Sequence, residues 1–106
     1  MKNLYKTTKP NVYISVELIY NKGGENAYSR EKNPRCYMLY INAVERVKKD
    51  GYITETFEPY TTMRVEVLRV NRASKRALAD AEKYAQNFSP AWAMNYAGKY
   101  GYTLAD

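Results

Sequence analysis

Residues 62–88 read TMRVEVLRVNRASKRALADAEKYAQNF, and the hydrophobic period changes in the middle of this stretch. From Thr62 to Val70, Met63, Val65 and Val67 alternate with Arg64, Glu66 and Leu68, the period of two that marks a half-buried strand. From Arg72 to Phe88 the apolar positions are Ala77, Leu78, Ala81, Tyr84, Ala85 and Phe88, at three- and four-residue spacing. That is the stripe of an amphipathic helix rich in alanine, with Asn71 as its expected N-cap. A strand that hands over directly to a helix implies a sheet with helical cover on one face.

Working back from this junction, Tyr52–Phe57 reads as a strand ended by Glu58-Pro59, because proline cannot donate to a ladder. Cys36–Ile41 reads as another. Two readings stay open for 42–50: a short helix capped by Asn42, or a continued strand closed by the hairpin turn Asp50-Gly51, which is the expected form. Val12–Tyr20 alternates over nine residues and is a further strand. Between them, residues 21–35 hold Gly23-Gly24, Asn33-Pro34 and many charges, so a long exposed basic loop is expected. Residues 1–10 are expected to be loosely ordered. Downstream, Ser89-Pro90 matches a capping serine followed by proline at the first helical position, which predicts a second helix ending at Gly101. The expected architecture is α+β, a four-stranded, mainly antiparallel sheet followed by two C-terminal helices packed on one face, in one domain spanning 1–106.

Composition excludes more than any motif supports. The chain has twelve tyrosines, one cysteine and no histidine. Without histidine it lacks the usual general base and the commonest metal ligand, and a lone Cys36 cannot form an intramolecular disulfide or a thiolate cluster. No metal or cofactor is expected. Glu45, Glu55, Glu58 and Glu66 lie on or near neighbouring predicted strands, but each has a cation close by, and a solvated ion-paired face accounts for them better than paired catalytic carboxylates. The expectation is a protein that is not an enzyme. No apolar run nears the ~20 residues of a membrane-spanning helix, and the polar start of the chain does not read as a signal peptide. Those features fit the cytoplasm of a cell or of an infected host.

The formal net charge of +6 is uneven. Residues 1–35 carry seven Lys/Arg against three Glu, and 71–106 carry five against three acids, while 36–70 balance at five each. Arg69, Arg72, Ser74, Lys75 and Arg76 cluster where strand becomes helix. Cations in a first helical turn oppose the helix dipole, and an anion such as phosphate would reverse that cost. Pairing of Arg76 with Asp80, four residues on, is the plainer account. In the 21–35 loop, Lys22, Arg30, Lys32 and Arg35 surround Tyr28, with Tyr13 and Tyr40 expected on the open sheet face beside it. Cations that follow a backbone, with rings on which bases stack, are the ingredients of single-strand binding. Trp92, Tyr100 and Tyr102 form an aromatic group suited to a protein interface.

These features predict a small basic binding module for nucleic acid or a nucleoprotein. The alternative is a phage or mobile-element inhibitor, of the anti-defence (for example anti-CRISPR) type, that docks on a host protein; the phage origin rests on composition alone. A third reading is a nucleotide or small-anion binder. An exposed strand such as Val12–Tyr20 could also pair with its copy to give a homodimer.

Overall fold

The computed structural model describes residues 1–22, 24–25, 32–33, 35–58 and 61–105. Its elements are β1 (Lys2–Lys6), β2 (Val12–Asn21), β3 (Gly24–Glu25), β4 (Lys32–Asn33), β5 (Cys36–Lys49), β6 (Tyr52–Phe57), β7 (Met63–Arg69) and α1 (Lys75–Tyr100). The class is α+β, as expected. Every strand pairing is antiparallel, in the order β1-β2-β5, and β5 then carries both β6 and β7 along its other side.

β5 organises the sheet. Its second half continues as strand through 42–49, and Asp50 and Gly51 close the hairpin with φ of 51° and 81°, the double left-handed conformation of a type I′ turn. Residues 44–49 of β5 pair with β6, and residues 36–41 pair with β7. β6 and β7 thus lie in turn along the outer side of β5, β6 ending at Phe57 and β7 beginning at Met63; Pro59, expected to end the strand, lies outside the described residues. β3 and β4 pair with each other and prolong the β2–β5 hairpin as a short two-stranded arm within the stretch read as a loop.

Four expectations are corrected. Lys2–Lys6, read as loosely ordered, is a strand that pairs along β2 from Lys2↔Glu17 to Lys6↔Tyr13. Val12–Tyr20, read as an exposed edge, is therefore interior. The two helices are one: α1 runs 26 residues, about 39 Å at 1.5 Å per residue, straight through Ser89-Pro90. Ser74, not Asn71, caps it, accepting a hydrogen bond from Ala77 N at 3.1 Å, and Gly101 (φ 78°) ends it.

The helix stays whole because its buried stripe ignores the proline. Ala81, Ala85, Ser89, Ala93 and Ala97 recur every four residues and are all buried, so a break at Pro90 would take half the stripe off the sheet. Small side chains bring the helix close, and the apolar volume comes from Ile14, Val16, Leu39 and Ile41 beneath. Leu78 and Phe88, expected on the buried face, are exposed at 41 % and 46 %. Ser89 is fully buried and satisfied from β1: Asn3 Nδ2 donates to its Oγ at 3.1 Å, and the Tyr5 hydroxyl shares a 2.7 Å hydrogen bond with it. β1 is a polar clasp on the middle of the helix, at the point where proline deletes a backbone donor.

Tyr96 closes the gap between β6 and β7. Glu58 N donates to Ala43 O at 3.1 Å, but the outer strand then breaks, and the Ala43 N–H has no ladder partner. The fully buried Tyr96 hydroxyl accepts from Ala43 N at 3.0 Å and donates to Thr61 Oγ1 at 2.8 Å. A helix side chain thereby completes a strand's hydrogen bonding, as buried backbone donors require.

Candidate functional site

Strand alternation fixes which residues share the face away from the helix. Ile14, Val16, Leu39 and Ile41 pack on α1. The registers Lys2↔Glu17↔Tyr40, Tyr13↔Val44↔Phe57 and Arg46↔Glu55, with Tyr40↔Arg64, therefore lie on the other face. That face is concave. Lys2 Nζ reaches Glu55 Oε2 at 3.2 Å, although Lys2 is in register with position 40 of β5 and Glu55 with position 46. Six residues of strand are about 20 Å in a flat sheet, beyond the reach of the two side chains, so the sheet coils to bring its corners together. Ser15 and Val44 on this face are correspondingly buried.

Arginines stand over tyrosines on the concave face. The Arg64 guanidinium lies 5.3 Å from the Tyr40 ring centroid and that of Arg46 lies 6.0 Å from Tyr13, within cation–π range. Arg46 Nε is 3.2 Å from Glu55 Oε1 but out of line for a hydrogen bond, a close ionic contact only. Glu55 is thus held between Lys2 and Arg46, and Glu66 by Arg69. Among the described residues no group of three or more His, Cys, Asp or Glu could hold a metal ion.

The basic segments converge at one end of the sheet. Arg35 Nη1 donates to Asn71 O at 3.1 Å, and Val70 N donates to Arg35 O at 3.0 Å. This double tie joins the exit of the 21–35 segment to the turn before α1. Lys22, Arg35, Arg72, Lys75 and Arg76 are all exposed, and none forms a salt bridge among the described residues. The Arg76–Asp80 pair is accordingly not made. Arg69 differs: its Nε and Nη2 donate to Glu66 Oε1 and Oε2 at 2.8 and 3.2 Å. That fork holds the Glu66 carboxyl below its ordinary pKa and raises the guanidinium's, so Arg69 is already engaged. Ser74 Oγ is spent as an acceptor on the helix cap. Tyr28 and Arg30, and the side chain of Lys32, lie outside the described residues.

The aromatic group divides from this site. Trp92, Tyr100 and Tyr102 are half-buried and pack on the core; Tyr96 lies 4.6 Å from Tyr100 and 6.2 Å from Tyr102, centroid to centroid. Burial, then the charge of Glu58 and the neighbouring Tyr96, pushes the Tyr102 phenol pKa up. Lys9 Nζ sits 4.9 Å above its ring. A cavity of about 140 Å3 is lined by Val44, Phe57, Glu58 and Tyr102, at the end opposite the basic cluster. Cys36 is buried, and burial, reinforced by Glu66 and opposed by Arg69, raises its thiol pKa, the reverse of an activated thiolate. Among the described residues no helix is long and apolar enough to cross a membrane.

The tie between Arg35 and Asn71 is what sequence reading missed. Each basic segment is visible as composition, but their adjacency follows from the Cys36↔Arg69 register, which only the fold supplies. No protein-family model matches the chain, and no curated protein or solved structure is significantly similar to it.

Proposed function

We propose that this protein is a non-enzymatic module that binds nucleic acid, alone or in a nucleoprotein, through the basic end of its sheet. The observation that carries the reading is the Arg35–Asn71 hydrogen bond, which brings Lys22 and Arg35 together with Arg72, Lys75 and Arg76, exposed cations that form no salt bridge among the described residues. Like charges gathered without counter-charges raise the local positive potential, and a polyanion relieves it while releasing its own counterions. Lys75 and Arg76 add to this, because they sit in a first helical turn that holds no acidic residue. Tyr40 and Tyr13, each beside a guanidinium on the concave face, supply rings on which an unpaired base can stack.

The test is the triple variant Arg72→Glu, Lys75→Glu, Arg76→Glu. These side chains are exposed and unpaired, and glutamate favours a helix N-terminus by about 0.3–1 kcal/mol per charge. Stability is therefore expected to hold or rise while binding to labelled DNA or RNA is lost. Affinity equal to that of the wild type overturns the assignment. Absence of nucleic-acid binding in the wild type itself, with one host protein captured stoichiometrically, transfers the basic surface to the inhibitor reading.

A further inference from the structure

The two sides of the sheet are finished differently. At the β1 side the chain's own tail covers the Lys6 end of the edge, and Lys2 and Lys6 charge it: Thr7 bridges Leu104, Thr8 N donates to Thr103 O at 2.9 Å, and Ala105 N donates to Lys6 O at 2.8 Å. At the other side β7 is blunted by a register shift opposite Tyr37/Met38 and carries Arg64, Glu66 and Arg69. β6 has neither protection. Its sequence, Tyr52-Ile53-Thr54-Glu55-Thr56-Phe57, has no lysine or proline, and β5 is its one strand partner among the described residues.

The hydrogen-bond phase of this edge follows from the β5 pairing. Glu58 N bonds to Ala43 O, and the two-residue turn closes at Lys49↔Tyr52, so residues 52, 54, 56 and 58 direct their backbone groups toward β5. The N–H and C=O groups of Ile53, Glu55 and Phe57 therefore point outward. Tyr52, Ile53 and Phe57 are 78 %, 59 % and 51 % exposed. Such an edge is a template for another strand.

We infer that β6 pairs antiparallel with β6 of a second copy of this chain about a two-fold axis through Glu55, joining two sheets into one. This register aligns Ile53 with Phe57, Glu55 with Glu55, and Phe57 with Ile53, and uses every outward donor and acceptor. A shift of two residues loses one of the three reciprocal pairs. The apolar side chains meet: Ile53 of each copy faces Phe57 of the other, both on the concave-face side. Thr54 faces Thr56 on the opposite side. Opposed glutamates would repel, but each Glu55 already lies 3.2 Å from Lys2 Nζ and 3.2 Å from Arg46 Nε. Two carboxylates at the axis thus meet four cations, which offsets their repulsion, and the match of Ile53 with Phe57 in both directions is what makes the second copy the fitting partner. The pairing stands apart from the nucleic-acid reading and uses none of its phosphate-contacting cations.

Sedimentation equilibrium over a wide concentration range, with amide hydrogen exchange at the highest concentration, tests it. The expected result is a mass approaching twice 12.3 kDa, with the amides of Ile53, Glu55 and Phe57 protected. The variant Ile53→Lys, Phe57→Lys, whose altered side chains lie outside the core, is expected to keep the circular dichroism of the wild type and sediment as a monomer. A wild type at 12.3 kDa throughout, a dimer unaffected by the variant, or unprotected amides at 53, 55 and 57 in the dimer each overturn the pairing.

Discussion

Replacing Tyr96 with phenylalanine removes one oxygen atom and isolates the contribution of the bridge across the broken outer strand. The ring is fully buried and keeps its volume in phenylalanine, so no cavity term enters. What changes is hydrogen bonding. Ala43, 3 % exposed, loses the acceptor of its N–H, and a buried donor without a partner costs about 1–3 kcal/mol. Thr61 loses a donor but keeps its own bond to Glu58 O at 3.2 Å, and it is only half-buried, so its share is small. Relief from burying the phenol hydroxyl offsets part of the loss, leaving a net destabilisation of about 1–2 kcal/mol. For a chain of this size each kcal/mol lowers Tm by about 4–8 °C, which places the drop between about 5 and 15 °C. Urea unfolding followed by tyrosine fluorescence and far-UV circular dichroism measures it, with the m-value unchanged because the same surface is exposed. Tyr100→Phe is the control: its ring packs tilted against Tyr96 and its hydroxyl has no hydrogen bond among the described residues, so it is expected within about 0.5 kcal/mol of the wild type. Equal stabilities for Tyr96→Phe and the wild type would refute the bridging role.

Pro90→Ala separates one helix from two. In a continuous helix alanine restores a backbone donor and gains about 1–3 kcal/mol, whereas at the first position of a separate helix it would be neutral or destabilising; chemical denaturation reads the difference. Cys36 is expected to react slowly with a thiol reagent in the native protein and fully once unfolded. Its raised pKa means that the folded thiol holds its proton more tightly than the unfolded one. Stability from this group is thus complete below the ordinary thiol range and declines as pH rises through it, which unfolding between pH 7 and 10 checks.

The sheet was largely legible because strands that bury one face announce their period, as Val12–Tyr20 and Thr62–Val70 do, while the mostly exposed Tyr52–Phe57 was marked by its residue types and by Glu58-Pro59 after it. β1 was not, since Lys2-Asn3-Leu4-Tyr5-Lys6 has polar groups on both faces and is held by register with β2 and by the buried Ser89. Ser89-Pro90 misled because local chemistry there favours a helix start, while the four-residue alanine and serine stripe, a tertiary signal, runs through it. The exposure of Leu78 and Phe88 follows from the same stripe, which selects small residues over large ones for the close approach to the sheet. Of the candidate site, the cations were visible but their commitments were not: Arg69 belongs to Glu66 and Ser74 to the helix cap, and neither pairing can be distinguished from a free group by composition. The concavity of the open face was also hidden, because it arises from the coiling of strands whose side-chain period would be the same in a flat sheet.

The nucleic-acid reading is tested most directly by anisotropy of labelled single- and double-stranded DNA and RNA titrated with the protein across a range of salt concentrations. With Lys22, Arg35, Arg72, Lys75 and Arg76 as the phosphate contacts, log K is expected to fall linearly with log salt, with a slope of about −3.5 for a single strand or about −4.5 for a duplex if all of them engage. The same slope should vanish with the binding when Arg72, Lys75 and Arg76 are reversed to glutamate. No binding at low salt, or binding whose strength does not change with salt, would contradict the account.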